Sequence, residues 1–519
     1  MQRKNLLYIF ADQWRYHAVG AAHEDTVFTP HMDAFAAESV CCTNAISTYP
    51  LCSPHRAALL TGKYPLSCGM WTNCKTGLDI SPCLAPQETL IGDVLRENGY
   101  DTAYIGKWHL DSSDLNYSAH PASGCSGWDA YTPAGCRRHG FDFWYSYGAM
   151  DEHLSPHYWT TDGERRDVHT WSPEHETDVL LSYLERRRAA QPAHAAGSAQ
   201  SEHTAQANKP FCAFLSWNPP HPPYDQVPQP YLERYAGELR FRQNVPEAMR
   251  RDESYRKKMR EYYAAVSGLD EQFGRIMDFL EKKGLKDDTL IVLSADHGDC
   301  MGSHGLYGKN VWYEESVRIP LYVGGGAMFS FAGEGADRQS RTSAAAGLHR
   351  PFVCPALIES CDHMPTLLDI LGIPIPDCVE GTSAAPALAA AVSAEKKGDE
   401  KGGGGLSGGT APSYAGKTHA FLCMLPGMPE LIEPFKKEGL DSKCFGWRGI
   451  RTADKTYVID NGTAPHTKQR RLLYDNVNDP YQMHPVELLP SDPRCEPYDE
   501  LLRAWCAEYK DYFLFKAVD

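Results

Sequence analysis

The chain has 519 residues, 42% of them hydrophobic and 23% charged, with a formal net charge of −16. That length exceeds one simple core, so one large domain with a smaller companion is expected, and the acidic balance excludes nucleic-acid binding through a basic surface. A local basic pocket for an anion is not excluded, because surface charges are screened beyond about 8 Å at physiological salt.

Seventeen cysteines, scattered without paired Cys-X-X-Cys spacing, read mostly as buried reduced thiols in a reducing compartment. No stretch approaches the roughly 18 apolar residues of a membrane span, so no membrane partner is expected. Met1-Gln2-Arg3-Lys4 runs into Asn5-Leu6-Leu7-Tyr8-Ile9-Phe10. The apolar run is too short for a signal peptide and ends at Asp12 without a small-residue cleavage site. The chain as given is therefore expected to be cytoplasmic, or periplasmic or secreted if a leader has been removed.

Leu6 to Phe10 reads as a fully buried strand, with Asp12 and Gln13 at its carboxyl end, where ligands bind in an open α/β sheet. Leu51-Cys52-Ser53-Pro54-His55-Arg56-Ala57-Ala58-Leu59-Leu60-Thr61-Gly62 reads as a short helix, with Pro54 suited to its first position and Gly62 to its stop. Cys52 at the mouth of that helix sits in a positive field, to which Arg56 adds a planar donor fork. A helix with Leu90, Ile91, Val94 and Leu95 on one face follows, then a strand Asp101 to Ile105 that delivers Gly106-Lys107-Trp108-His109. Lys107 and His109 would share a side if the segment stays extended.

Residues 111 to 172 are rich in Gly, Tyr, Trp and His and show no regular period. Such loops suit a sugar ring or pack over a sheet. A helix is expected at Glu174 to Arg188, and a disordered surface insertion at Ala189 to Asn208. The strand Phe211 to Ser216 leads to Asn218-Pro219-Pro220-His221-Pro222-Pro223, in which prolines stiffen the chain on both sides of His221. A long amphipathic helix spans Tyr255 to Lys283. The buried strand Thr289 to Ser294 then delivers Asp296-His297-Gly298-Asp299, with Lys309 shortly after. A strand at Ile319 to Val323, a second loop insertion at 329 to 350 and a helix at Asp362 to Leu371 complete the first domain. The Gly-rich stretch at 390–410 is expected to be a flexible linker. Beyond it, strands at Gly446 to Thr452, Lys455 to Ile459 and Arg471 to Tyr474 and a helix near Tyr498 to Lys516 suggest a small antiparallel subdomain. The expected units are thus 1–389, the linker 390–410, and 411–519.

Four buried strands end in polar residues: Asp12-Gln13, Lys107 with His109, His221, and Asp296-His297. Their joint placement with the Cys52 helix points to one convergent site. The oxygens of Asp12, Gln13 and Asp296 with a nitrogen of His297 form a mainly hard ligand set, suited to Ca²⁺ and compatible with Mg²⁺ or Mn²⁺. Arg56, Lys107, Lys309 and the two histidines then surround an anion, as transfer of a tetrahedral oxyanion requires.

The order Cys52-Ser53-Pro54-His55-Arg56, followed by Ala57-Ala58-Leu59-Leu60-Thr61-Gly62 and Tyr64-Pro65, resembles the activating motif of the type I sulfatases of the alkaline-phosphatase-like superfamily. The other clusters follow that family's order along the whole chain. The resemblance implies a large mixed, mostly parallel α/β sheet sandwiched by helices, with a smaller C-terminal α+β subdomain. It implies that a formylglycine-generating maturase oxidises Cys52 to formylglycine (3-oxoalanine), held on the metal with Asp12, Gln13, Asp296 and His297. One hydroxyl of the hydrated aldehyde would attack sulfur. His221 and Lys309 would bind the ester and assist the leaving alcohol, His109 would deprotonate the second hydroxyl to expel sulfate, and Arg56 and Lys107 would hold the formylglycine. Gln13 and His297 depart from the Asp and Asn of many family members and occur in related phosphonate and phosphodiester hydrolases. The leading expectation is a carbohydrate O-sulfatase acting on a sulfated glycan or small molecule, with Trp447, Arg448 and Arg451 as candidates for a sugar site. The alternatives are a phosphonate or phosphate diester hydrolase and a non-catalytic sulfated-glycan-binding protein.

Overall fold

A computed structural model describes residues 3–75, 78, 82–112, 128–189, 209–333, 351–399 and 416–515. Its first sheet is built from β1 (Asn5–Asp12), β2 (Val40–Ile46), β3 (Asp101–Lys107), β4 (Phe143–Tyr147), β5 (His157–Thr160), β6 (Arg165–Asp167), β7 (Phe211–Pro220), β8 (Thr289–Ala295), β9 (Leu321–Gly324) and β10 (Phe352–Glu359). They lie in the order β10-β2-β9-β8-β1-β7-β3-β4-β5-β6. The central run β8-β1-β7-β3-β4 is parallel, as is β10 with β2, while β9 runs antiparallel to both its neighbours. β1, β7 and β8 are apolar along their length and buried on both faces because helices cover the sheet.

Helices Pro30–Ala37 and Ser172–Ala189 each pack on Glu253–Lys282, while Cys52–Thr61 and Ala385–Asp399 each pack on His363–Ile370. The 30-residue helix starts at Asp252, whose side chain accepts a hydrogen bond from the Ser254 amide at 2.9 Å, and buries Met259, Tyr262, Val266, Leu269, Phe273, Ile276 and Leu280.

The C-terminal part carries a second, antiparallel sheet in chain order, β11 (His419–Met424), β12 (Trp447–Thr452), β13 (Lys455–Asp460), β14 (Arg470–Asp475) and β15 (Val486–Glu487), closed by the helix Glu496–Glu508. Its apolar core is shared with Ile46, Tyr49, Leu51 and Ala58 of the first part. The Cys423 amide donates to the Thr48 carbonyl at 2.9 Å and the Leu425 amide to the Tyr49 hydroxyl at 2.9 Å. The segment that enters the Cys52 helix is thus clamped between the two sheets.

The expected large mixed sheet and smaller antiparallel subdomain are present. Several elements differ from the sequence-based expectation. β2 carries Cys41, Cys42, Thr43 and Asn44 in succession and β10 is broken by Cys354 and Pro355, so both escape a search for purely apolar runs. β4, β5 and β6 lie in the stretch read as irregular; residues 113–127 of that stretch lie outside the described residues, as do the expected insertion 190–208 and most of 329–350. The linker expected at 390–410 begins inside the helix Ala385–Asp399, because the alanine run before it favours helix; residues 400–410 lie outside the described residues. The terminal helix stops at Glu508, short of the expected Lys516.

Candidate active site

The Cys52 helix begins at Cys52 itself, with Leu51 extended at its N-cap, and Pro54 takes the third helical position instead of the first. Gly62 ends it in the left-handed conformation at φ 67°. At the carboxyl end of β3, Gly106 has φ 95°, and a side chain there would collide with the Ser216 carbonyl of β7. This glycine lets Lys107 reach across the strand ends.

Arg56 organises the centre. Its Nη2 lies 3.1 Å from Asp12 Oδ2 and its Nε donates to Asp296 Oδ2 at 3.1 Å, while Nη1 donates to the Lys107 carbonyl at 2.8 Å and Ser216 Oγ at 2.7 Å. Lys107 Nζ lies 2.7 Å from the same Asp12 oxygen and donates to Asn218 Oδ1 at 2.9 Å. Lys309 Nζ donates to Gln13 Oε1 at 2.8 Å and to Cys52 Sγ at 3.1 Å. The Gln13 amide is oriented from behind, its Nε2 donating to Asp299 Oδ2 at 2.6 Å.

The Asp12, Cys52, Asp296 and His297 ligand atoms all lie within 4.8 Å of one another, and the four residues are buried. His297 Nδ1 faces the Gly298 carbonyl at 3.1 Å, so Nδ1 carries the hydrogen and Nε2 turns its other face inward. There it meets Asp12 Oδ1 at 3.6 Å, Asp296 Oδ1 at 3.5 Å and Cys52 Sγ at 3.4 Å. A neutral His297 would thus aim a lone pair at two carboxylate oxygens, an arrangement that calls for a cation among them. The titration behaviour carries the same signature: burial pushes the His297 imidazole down, but Asp296 and Cys52 together raise it. These donors fit a hard divalent cation, with Gln13 Oε1 beside them.

The surrounding charge favours anions. Burial and Asp12 push the Cys52 thiol up, yet Lys309, Lys107 and His297 bring it well below the usual cysteine range. Burial also opposes ionisation of Asp12, and Lys107, Lys309, His221 and Arg56 overcome it, holding that carboxyl well below normal.

His109 has φ 54°, so the chain turns before it and strand parity with Lys107 is not what brings it inward. Its Nε2 faces the Cys74 carbonyl at 3.1 Å, and its Nδ1 is buried with no hydrogen-bond partner among the described residues. A carbonyl demands the hydrogen on Nε2, so the lone pair sits on the orphaned Nδ1. Burial, with Lys107 adding to it, lowers the pKa and keeps the ring neutral, a state suited to a base. His221 stands at the end of β7, its Nδ1 2.7 Å from the Pro222 carbonyl and 3.3 Å from Asp151 Oδ1.

A cavity of about 360 Å³ opens beside this centre, lined by Leu51, Asn73, Lys309, Trp312, Trp447 and Asp460 among others. The expected sugar candidates divide here. Trp447 lines the cavity, but Arg448 Nη2 is buried against Asp511 at 2.7 Å within the C-terminal part, and Arg451 Nε against Glu314 of the first part at 2.8 Å, so both arginines are engaged in internal ion pairs. In the aromatic stretch, Tyr131, Tyr147, Tyr158 and Trp159 pack into a separate cluster.

All the residues expected to act together are gathered: Asp12, Gln13, Cys52, Arg56, Lys107, His109, His221, Asp296, His297 and Lys309. The sequence reading gave no role to Ser216, Asn218 or Asp299, though each adjoins a residue it singled out, nor to Asn73, whose Oδ1 accepts from the Ser53 amide at 2.9 Å.

The sequence profile of the family described as Sulfatase matches residues 4–373. An endo-4-O-sulfatase of Bacteroides thetaiotaomicron is 34% identical over 97% of this chain and 91% of its own length. An ulvan-active sulfatase of Formosa agariphila is 32% identical over 93% of this chain and 76% of its own. A solved structure from Bacteroides thetaiotaomicron, described as a 4S-sulf protein within its metabolism of multiple glycosaminoglycans, matches with a TM-score of 0.76 at 31% identity, covering 98% of each chain.

Proposed function

The chain belongs to the sulfatase family and is a sulfuric ester hydrolase, and we propose that it removes an O-sulfate group from a carbohydrate, with Cys52 matured to formylglycine. The hydrated aldehyde supplies the nucleophilic hydroxyl. Asp12, Gln13, Asp296 and His297, with the side chain at position 52, would hold a divalent cation, Ca²⁺ or else Mn²⁺ or Mg²⁺, which supplies Lewis-acid charge at the sulfate.

The chain's own residues do the rest. Lys309 and His221 bind the sulfate ester, and His221 protonates the departing alcohol oxygen. His109 takes a proton through Nδ1, the lone pair left free by the Cys74 carbonyl. Arg56 and Lys107 fix the two carboxylates, so that no charged group must reorganise during the reaction. The cavity beside Lys309 offers the sugar an indole wall, with Asn73 and Asp460 as hydrogen-bonding groups.

The observation that carries the carbohydrate reading is the 34% identity to an endo-4-O-sulfatase across nearly the full length of both chains. It is tested by ion chromatography of sulfate released from chondroitin 4-sulfate, chondroitin 6-sulfate and ulvan, alongside hydrolysis of bis(4-nitrophenyl) phosphate. Sulfate release from the 4-sulfated polymer, outpacing both the 6-sulfated polymer and the phosphodiester, is expected. Faster phosphodiester hydrolysis with no sulfate release from any glycan would refute it.

A further inference from the structure

Among the described residues, the ring of His221 also meets a carboxylate outside the central cluster. Asp151 Oδ1 stands 3.3 Å from its Nδ1, and Asp151 lies on the loop following β4. That loop is clamped at three points. Asn218 Nδ2 donates to the Met150 carbonyl at 2.6 Å, Gln226 Nε2 donates to the Asp151 carbonyl at 3.1 Å, and the His153 amide donates to Gln226 Oε1 at 2.6 Å. His153 closes the circle, its Nε2 facing the His221 carbonyl at 2.8 Å. Asn218 also holds Lys107, so one side chain ties the Asp151 loop to the anion-binding centre.

We propose that Asp151 is a positioning residue for the departure of the alcohol: it holds His221 through Nδ1–H, so that Nε2–H faces the leaving oxygen. This rests on the reading of His221 as the leaving-group acid. As the sulfur–oxygen bond breaks, its electron pair stays on the alcohol oxygen and takes the Nε2 proton. His221 is left neutral with its Nδ1–H still held by Asp151 and the Pro222 carbonyl, and a proton from solvent restores Nε2. Asp151 is half exposed at the rim, where it holds the Nδ1 side of the ring without being sealed from water.

The ionisation states agree with this geometry. Burial would raise the Asp151 carboxyl, but its hydrogen bond to His221 and the His221 charge bring it down to about 2. His153 is held neutral by burial, with a pKa lowered to about 4, and so fixes the loop without competing as a cation.

The test uses the matured full-length enzyme with Asp151→Asn, Asp151→Glu and His221→Ala, on 4-nitrophenyl sulfate and on phenyl sulfate, whose poorer leaving group needs the proton more. Asp151→Asn is expected to lose on the order of 10-fold more kcat/KM on phenyl sulfate than on 4-nitrophenyl sulfate, with Asp151→Glu partly restoring it. Equal losses on both esters, or none, would overturn the proposal if His221→Ala still discriminates between them; if His221→Ala does not discriminate, the reading of His221 itself fails. A second readout needs no turnover. With ¹⁵N-histidine labelling, the His221 Nδ1–H signal, identified by its loss in His221→Gln, should move in Asp151→Asn, where the Pro222 carbonyl is left as its acceptor. Coincident signals in the two proteins would also overturn it.

Discussion

Arg56 Nε donates to Asp296 Oδ2 across 3.1 Å, and both side chains are wholly withdrawn from solvent. The same guanidinium reaches Asp12, so one cation from the Cys52 helix bridges two buried carboxylates at the ends of different strands. Replacing it by alanine strips Asp296 of its guanidinium and leaves Asp12 to Lys107, and breaking a buried pair of this kind costs about 3–5 kcal/mol. Arg56→Ala should therefore lower the denaturant midpoint sharply. Arg56→Lys, which keeps the charge but loses the fork, should fall between it and the parent. Equal stability of all three proteins would show that the carboxylates are compensated otherwise.

His109 should matter after the alcohol has left. His109→Gln is expected to release close to one equivalent of 4-nitrophenol from 4-nitrophenyl sulfate in the first turnover, then slow by roughly 10²–10⁴-fold. Rapid-quench measurement against active-site concentration reads this directly. A uniformly slowed reaction without a burst would place His109 before alcohol departure.

Trp312 and Trp447 stand edge to face, 5.6 Å between ring centroids, in the wall of the cavity beside Lys309. Trp312 is the more exposed of the two, so Trp312→Ala should spare the fold. It is expected to raise KM for the glycan about 10-fold while kcat/KM for 4-nitrophenyl sulfate changes less than about 3-fold, since a lost stacking contact is worth roughly 1 kcal/mol or more. Equal effects on both substrates would remove the cavity from sugar recognition.

Two buried histidines outside the reaction make stability depend on pH. His153 and His363 both have pKa values lowered to about 4, each by burial first, against about 6.5 in an unfolded chain. Between those values the unfolded chain binds the extra protons, so stability rises with pH. The contribution is fully present above pH 6.5 and is lost as pH falls toward 4, about 3 kcal/mol for each histidine. His363 Nδ1 and the Tyr8 hydroxyl share a hydrogen bond at 2.8 Å. His363→Asn, whose amide can serve as either partner, should flatten the slope of unfolding free energy between pH 6.5 and 4 by about 1.4 kcal/mol per pH unit. An unchanged slope in chemical denaturation would contradict this.

The sites at the strand ends were legible because each followed an unbroken apolar run: β1 announces Asp12 and Gln13, and β8 announces Asp296 and His297. The Cys52 helix was legible from its proline, alanine run and closing glycine. Less was readable where the determinants are long-range. Asp151 sits in an aromatic stretch with no period, and only the fold brings it to His221. Arg448 and Arg451 look like ligand-binding residues in sequence, yet their partners, Asp511 and Glu314, lie 63 and 137 residues away. The alternation that would mark β2 is interrupted by cysteines. The strand parity invoked for His109 does not hold, because its positive φ turns the chain there.

The central claim is that a matured Cys52 drives sulfate ester hydrolysis, and the mass of the peptide containing Cys52 tests it most directly. In protein made with a formylglycine-generating partner and releasing sulfate, that peptide should be about 18 Da lighter than the unmodified sequence requires, as expected when a thiol and a hydrogen give way to an aldehyde oxygen. Full sulfatase activity from protein whose Cys52 is entirely an unmodified thiol would contradict the account.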